Sequence, residues 1–124
     1  MKELLSYNLK KGDTPSPFFI AKKGGKMRTN DFYALIELVK REVLGSETEY
    51  LKLLKVIGNN QRYDFLSQLS IYDRNFKAVA CAGFDMWRER FHRTVMRGEK
   101  GIPILYESEG KQKIAYVFDI SQTV

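Results

Sequence analysis

The fold class is decided by the stretch IPILYESEGKQKIAYVF, residues 102–118. Two strand-like runs, 102–106 and 114–118, flank the polar segment 108–111, which has the composition of a hairpin turn. Pro103 has no backbone N–H, so we expect its strand at an edge of the sheet or near the beginning of that strand. The stretch therefore predicts an antiparallel hairpin in the C-terminal part of the chain.

The residues upstream of this hairpin carry helical patterns. Apolar residues spaced at i, i+3, i+4 and i+7 predict a first helix that Thr29 or Asn30 caps and that Gly45 ends. The segment 46–49 is a capping box that opens a second helix, which is predicted to end at Gly58. Two helices with so short a joint should pack on each other.

A third helix and a short strand are predicted between these helices and the hairpin. Asn59 or Asn60 can cap the third helix, which carries apolar residues along 63–72. The segment 78–82 is predicted to be a short buried strand, and 84–91 a short helix. The predicted fold is therefore α+β, with N-terminal helices packed on a small antiparallel sheet that contains the C-terminal hairpin.

Length and composition fit a single domain. The chain has 124 residues, of which 44% are hydrophobic and 29% charged, and no apolar run reaches the roughly 18 residues that a membrane span needs. We predict a weakly structured basic arm at 1–29, whose apolar segment 18–20 docks on the core or anchors a partner, and one domain at 30–124.

No signal peptide is visible, and the single cysteine, Cys81, lies in an apolar stretch, so we expect a cytoplasmic protein with no membrane association. Because the chain stops directly after its last strand, we also expect it to be a piece of a longer protein.

Positive charge is concentrated towards the two ends of the chain. Residues 1–30 hold seven Lys and Arg against two acids, residues 31–87 hold seven against eight, and residues 88–124 hold seven against five. A basic arm and a basic C-terminal segment suit a polyanion, with nucleic acid the first expectation and an anionic membrane surface the second. Ordinary surface charge that keeps the protein soluble explains the same numbers.

The residue types that catalysis uses are scarce. One histidine, His92, and one cysteine, Cys81, are too few for a zinc site, and no phosphate-binding loop or catalytic triad can be assembled. We therefore predict no enzymatic activity, no cofactor and no small-molecule substrate. A metal held by Asp73, Asp85 and Glu89 is the weakest of the alternatives.

The segment 84–100 carries the chemistry most typical of a polyanion site. Placed on one continuous helix, its residues Phe84, Trp87, Phe91 and Val95 fall on one side, and Arg90, Arg93 and Arg97 fall on the other. Guanidinium groups suit phosphate oxygens and stack on bases, and Gly98 and Gly101 would let backbone N–H groups approach an anion. The ordinary interpretations are a solvated basic helix face and, for Trp87, packing in the core.

Three ordered elements resemble a known family. They are 83–87, a Gly-aromatic-x-x-Trp element; 95–104, a Val-x-x-Gly-Glu-Lys-Gly element followed by an aliphatic strand; and 117–123, a Val-Phe-Asp-aliphatic-x-Gln-Thr strand. This part of the chain resembles the N-terminal single-stranded-DNA-binding domain of ArdC-type antirestriction proteins, which is also found in LtrC-like proteins of conjugative elements. The chain departs from the family at Ser67, where Asn is usual, and at Arg74, where Gln is usual.

The resemblance implies that the chain binds single-stranded DNA, largely independently of sequence. The module would support plasmid or transposon transfer or antirestriction, and further domains of the parent protein would be additional partners. The residues expected to hold phosphates are Arg88, Arg90, Arg93, Arg97 and Lys100; Trp87, Phe84 and Tyr72 would stack or shape the groove; Arg74, Gly98 and Gly101 complete the predicted site. The competing prediction is a protein-interaction module that recruits replication or transfer partners.

Overall fold

The computed structural model describes residues 27–124, so the predicted basic arm, apart from its last three residues, and the apolar segment 18–20 lie outside the described residues. The described part has helices α1 (Thr29–Leu44), α2 (Glu47–Asn59), α3 (Phe65–Arg74) and α4 (Phe84–Arg90), strands β1 (Cys81–Gly83), β2 (Ile102–Ser108) and β3 (Lys111–Asp119), and a 3-10 turn at Ile120–Gln122. The helices come first in the chain and two of the three strands come last. The α+β prediction is confirmed.

Local hydrogen bonds explain where the first two helices begin. The backbone N–H of Arg28 donates to Asp31 Oδ2 at 3.2 Å, so α1 begins at Thr29 and the prediction that Thr29 or Asn30 caps it is wrong. The predicted capping position of α2 is confirmed, because Ser46 Oγ accepts a hydrogen bond from the backbone N–H of Glu49 at 3.2 Å.

Helix α3 begins later than predicted. Its cap is Asp64, whose Oδ1 accepts from the backbone N–H of Ser67 at 2.9 Å. Asn60 cannot serve as this cap because its side chain is used elsewhere: Oδ1 accepts from the backbone N–H of Cys81 at 2.9 Å, and Nδ2 donates to the Val56 carbonyl at 3.0 Å. The sequence pattern showed a suitable residue type but not this longer-range partner.

The three strands form an antiparallel sheet in the order β1-β3-β2. The predicted hairpin is present, with Ser108 paired to Lys111 across a turn in which Glu109 and Gly110 both have positive φ. Pro103 is the second residue of β2, an edge strand of this sheet, as expected. Strand β1 starts later than the predicted 78–82, because the N–H groups of Val79 and Ala80 donate to Asp119 Oδ1, at 2.8 and 3.0 Å.

One apolar cluster joins the helices to the sheet. It contains buried residues from α1, α2, α3 and all three strands, among them Phe32, Leu53, Ile71, Ile102 and Val117. Burial of this apolar surface is the main stabilising contribution that the architecture offers. None of the helices within 27–124 has both the length and the apolar character that a membrane crossing requires.

Polar side chains cover both edges of the sheet at specific positions. On β2, the N–H of Leu105 donates to Ser67 Oγ at 2.9 Å, and Ser70 Oγ donates to the Pro103 carbonyl at 2.6 Å. On β1, Cys81 is held through its N–H by Asn60, and its carbonyl accepts from the Tyr63 hydroxyl at 2.8 Å. Edge backbone groups that would otherwise be unpaired are therefore satisfied from α3 and the segment that precedes it.

Candidate nucleic-acid interface

Helix α4 is short, and the chain reverses directly after it. The predicted short helix is confirmed at Phe84–Arg90, but its continuation towards Arg97 is wrong. His92 has φ 56°, which ends the helical path. Residues 94–96 then run antiparallel to the last residues of the chain: Thr94 and Val124 exchange two backbone hydrogen bonds of 2.9 Å. The arginines that a single helical wheel places together are consequently separated.

The reversal gives Arg93 a structural role. Its Nε donates to Thr123 Oγ1 at 2.6 Å and its Nη2 donates to the Thr123 carbonyl at 3.1 Å. Arg93 therefore lies half-buried against the C-terminal segment instead of on a free helix face. Arg97 and Lys100 are exposed on the turn that follows.

The other two predicted arginines lie on different sides of α4. Arg88 is exposed, within 3.6 Å of carboxylate oxygens of both Asp85 and Glu89, and its guanidinium lies 5.7 Å from the centre of the Phe84 ring. Arg90 is exposed, and its guanidinium makes no hydrogen bond or ion pair with any residue of 27–124. Of this pair, Arg90 is the cation more available to a ligand.

Two of the three predicted stacking rings are inside the fold. Trp87 is 4% exposed and its Nε1 donates to the Phe118 carbonyl at 2.8 Å, while Tyr72 is 5% exposed and its hydroxyl donates to Glu49. Burial and the Glu49 carboxylate raise the pKa of the Tyr72 phenol. Neither ring offers a face to an incoming base. Phe84 is 46% exposed and keeps that ability.

The two predicted glycines differ in what they do. Gly98 has φ 85°, a backbone conformation that favours glycine. At Gly101 a Cβ would lie 2.7 Å from Tyr116 Cβ, so this glycine permits close packing of the loop on β3. Gly101 thus has a packing function that is sufficient to explain its presence.

A groove of about 470 Å³, here called the aromatic groove, lies beside α4. It is lined by Asn59, Asn60, Gln61, Arg62, Tyr63, Ala80, Cys81, Ala82, Trp87, Phe91, Arg93 and Ile120. The lining contains two arginines and three aromatic residues, and it contains no carboxylate. The volume falls in the range of about 300–1,000 Å³ that is typical of small-ligand sites.

Arg62 and Tyr63 form one wall of the aromatic groove. Arg62 Nη2 donates to the Tyr63 hydroxyl at 3.1 Å, and its guanidinium lies 5.2 Å from the centre of the Tyr63 ring. Burial raises the pKa of the Tyr63 phenol, and the Arg62 guanidinium offsets part of that rise. The wall therefore carries a positive charge next to a ring that stays neutral.

Trp87 of α4 and Phe91, the residue that follows this helix, also line the groove. Trp87 and Phe91, four residues apart, pack with ring centres separated by 5.2 Å, and Phe91 remains 51% exposed. Met86 and Arg90 are also four residues apart and so share the neighbouring side of the helix. Arg62 Nη2 lies 3.4 Å from Met86 Sδ, so Arg62 contacts α4 on this side. Arg62 and Arg90 are both exposed; Arg62 lines the groove, and helix spacing alone puts Arg90 on the side of α4 that carries Met86.

A second groove of about 430 Å³, here called the polar groove, includes Arg74, Gly98, Glu99, Lys100, Ser121 and Gln122 in its lining. Arg74 Nη1 donates to the Gly101 carbonyl at 3.1 Å. The Glu99 carboxylate accepts a hydrogen bond from Gln122 Nε2 at 3.0 Å. The predicted residues Arg74, Gly98 and Lys100 therefore lie together, apart from Arg88.

Cys81, the one cysteine of the chain, is buried. Burial raises the pKa of the Cys81 thiol to about 12, so the thiolate that nucleophilic chemistry needs is scarce at neutral pH. Within 27–124 no three His, Cys, Asp or Glu side chains are close enough to hold a metal ion, so Asp73, Asp85 and Glu89 do not form the metal site that was the weakest alternative.

Sequence reasoning missed Arg62 and Phe91 as site residues. Arg62 was overlooked because the polar segment 59–62 resembles the start of a helix, whereas residues 60–64 connect α2 to α3. Its adjacency to Tyr63 places a guanidinium beside a ring, and this was the available signal. Of the two departures from the ArdC-type pattern, Ser67 is fully buried under β2, and Arg74 lines the polar groove.

Comparisons of the chain with protein-family models, with curated proteins and with solved structures found no match.

Proposed function

We propose that this chain binds single-stranded DNA, with little dependence on sequence, and that the aromatic groove is its main contact site. One observation carries the proposal: the groove combines exposed aromatic surface with arginine side chains and has no carboxylate in its lining. Binding of unpaired strands without sequence preference requires this combination, because cations hold the phosphates and rings stack on the bases.

The two kinds of side chain in and beside the groove would contribute different parts of the binding energy. Phe91 offers a half-exposed ring, and base stacking on such a ring contributes about 1–3 kcal/mol. Arg62 in the lining and the exposed Arg90 of α4 would contact phosphate oxygens through forked N–H donors. A duplex keeps its bases stacked inside, so it would gain only the phosphate contacts.

The resemblance to ArdC-type domains extends this proposal to a biological setting. Under it, the chain is a non-enzymatic module of a mobile-element protein in the cytoplasm, where it holds the single strand that transfer or antirestriction exposes. No catalytic step is assigned to the residues of either groove.

The proposal is tested with the double variant Arg62→Ala/Arg90→Ala and a fluorescent (dT)₁₂ oligonucleotide. Loss of two phosphate contacts should weaken binding by about tenfold to a hundredfold near 0.1 M salt. The slope of log affinity against log salt should become shallower by about 1.4, since each contact to a single strand contributes about 0.7. Fluorescence anisotropy at several salt concentrations gives both quantities.

The matched control is Lys40→Ala/Arg41→Ala, which removes two positive charges from α1. This control should change affinity much less than Arg62→Ala/Arg90→Ala does, and duplex of the same length should bind the native chain more weakly than the single strand. Equal losses in the two double variants, or equal binding of duplex, would contradict the proposed site.

A protein-interaction module is the second candidate, and the exposed apolar residues of α2 favour it. Tyr50, Leu51 and Leu54 are each at least 45% exposed on the outer side of this helix. Apolar docking tolerates high salt, whereas phosphate contacts do not. A partner complex that persists at 1 M salt, in a chain that shifts no oligonucleotide, would favour this second function.

A further inference from the structure

The two grooves share one wall. Ile120 lines the aromatic groove, and the next two residues, Ser121 and Gln122, line the polar groove. These three residues are the 3-10 turn that follows β3. Since adjacent Cα atoms are about 3.8 Å apart, the two grooves lie on either side of a single turn of chain.

Hydrogen bonds hold this shared turn firmly. The backbone N–H of Ser121 donates to Asp119 Oδ2 at 3.0 Å, and Gln122 Oε1 accepts from the backbone N–H of Asp119 at 2.8 Å. Gln122 Nε2 also donates to the Lys100 carbonyl at 2.9 Å, which ties the turn to the loop of the polar groove. A ligand that spans both grooves would therefore cross a preformed ridge and would not have to order it.

The polar groove has the chemistry of a phosphate subsite. Among the lining residues, Arg74 and Lys100 supply two positive charges against the one carboxylate of Glu99, which already accepts a hydrogen bond from Gln122. Asp73, outside the lining, also interacts electrostatically with Arg74. Lys100 is exposed and Arg74 is partly buried, so a flexible cation and a fixed cation line the same groove. Its lining has no aromatic ring, in contrast to the aromatic groove.

We propose that a bound single strand crosses the ridge at Ile120, with one base in the aromatic groove and an adjoining phosphate in the polar groove against Lys100 and Arg74. This inference rests on the proposed function and adds a strand path to it. Ile120, which is 37% exposed, would lie beneath the sugar that connects the two.

The strand path makes a prediction that depends on the probe. Thymidine, which has no phosphate, should perturb backbone amide signals of the aromatic groove, such as those of Tyr63 and Phe91, in two-dimensional NMR spectra of the full chain. The hexamer (dT)₆ should in addition perturb Gly98, Lys100 and Ser121.

The variant Lys100→Ala should bind (dT)₆ about fivefold to tenfold more weakly, with a salt slope shallower by about 0.7. It should bind thymidine as the native chain does.

The single variant Lys55→Ala is the matched control, because it removes one exposed lysine charge from α2, outside the lining of both grooves. If Lys100→Ala behaves like this control, and (dT)₆ leaves Gly98 and Ser121 unshifted while it shifts Phe91, the strand path is wrong and the proposed function survives. If (dT)₆ shifts no residue of either groove and binds neither protein, the proposed function itself fails. Unchanged circular dichroism of both variants shows that folding is not the cause of either result.

Discussion

At the scale of single residues, Asp119 shows how one buried carboxylate organises the C-terminal part of the fold. Its two oxygens accept backbone hydrogen bonds from Val79, Ala80 and Ser121. Burial alone would raise the pKa of this carboxyl group, but these hydrogen bonds outweigh burial and lower the pKa below its ordinary value. The ionised form therefore stabilises the folded state.

The pH dependence of stability follows from this direction. A carboxyl group whose pKa is lower in the folded state contributes its full stabilisation above its ordinary pKa of about 3.9, and the contribution is lost as the pH falls through the folded value. We expect Asp119→Asn to lower the free energy of unfolding by about 1–3 kcal/mol at pH 7. The difference from the native chain should narrow between pH 5 and pH 3 in urea titrations. Asp85→Asn, at an exposed position, is the control, and a difference that stays constant with pH would contradict this account.

The aromatic residues show what a sequence pattern could not reveal. Trp87 and Tyr72 have the residue types of a stacking site, but each buries its ring and directs its polar atom to a partner in the fold. Phe91 looks like a core residue in the sequence and is half exposed beside Trp87. Exposure depends on which elements cover a ring, and local composition does not contain that information.

At the scale of elements, prediction succeeded where the signal is local. The first two helices and the hairpin follow from apolar spacing, the Ser46 cap and the turn at 108–111, all of which involve near neighbours in sequence. The extension of α4 failed because residues 94–96 pair with the distant segment 122–124. A helical wheel applied to 84–97 cannot anticipate a partner so far along the chain.

The covered edge of β2 yields a prediction about an element. Ser67→Ala removes the acceptor of the Leu105 N–H and leaves a buried donor without a partner, which costs about 1–3 kcal/mol. We expect the free energy of unfolding to fall by that amount and the Leu105 amide to exchange with solvent faster. Ser108→Ala, at the end of the same strand, should have little effect, and equal losses in the two variants would mean that the edge bond is unimportant.

At the scale of the whole molecule, the shared core should make unfolding cooperative. Helices α1 to α3 and the sheet contribute to one apolar cluster, and α4 is joined to β3 through the Trp87–Phe118 hydrogen bond. Helical circular dichroism reports mainly on α1 to α3, whereas Trp87, the one tryptophan of the chain, reports on α4. The two signals should give coincident urea midpoints. An earlier fluorescence midpoint would show that α4 and the aromatic groove open before the core.

The candidate site also belongs to this scale, because no single segment contains it. The aromatic groove combines the loop 59–63, strand β1, helix α4 and the turn after β3. Charge distribution in the sequence pointed to the C-terminal part of the chain, whereas the Arg62 wall of the groove comes from its middle. Only the packing of α3 and the sheet brings these four parts of the chain together.

The side chains that occupy the sheet edges have a consequence for how partners could attach. An extended peptide that adds itself to a sheet needs a row of vacant main-chain donors and acceptors. Ser67 and Ser70 already engage these groups at the centre of β2, and Asn60 and Tyr63 engage them at Cys81. Self-association by strand pairing is disfavoured at those positions for the same reason. A peptide that pairs with the sheet would first have to displace these side chains from Pro103, Leu105 and Cys81.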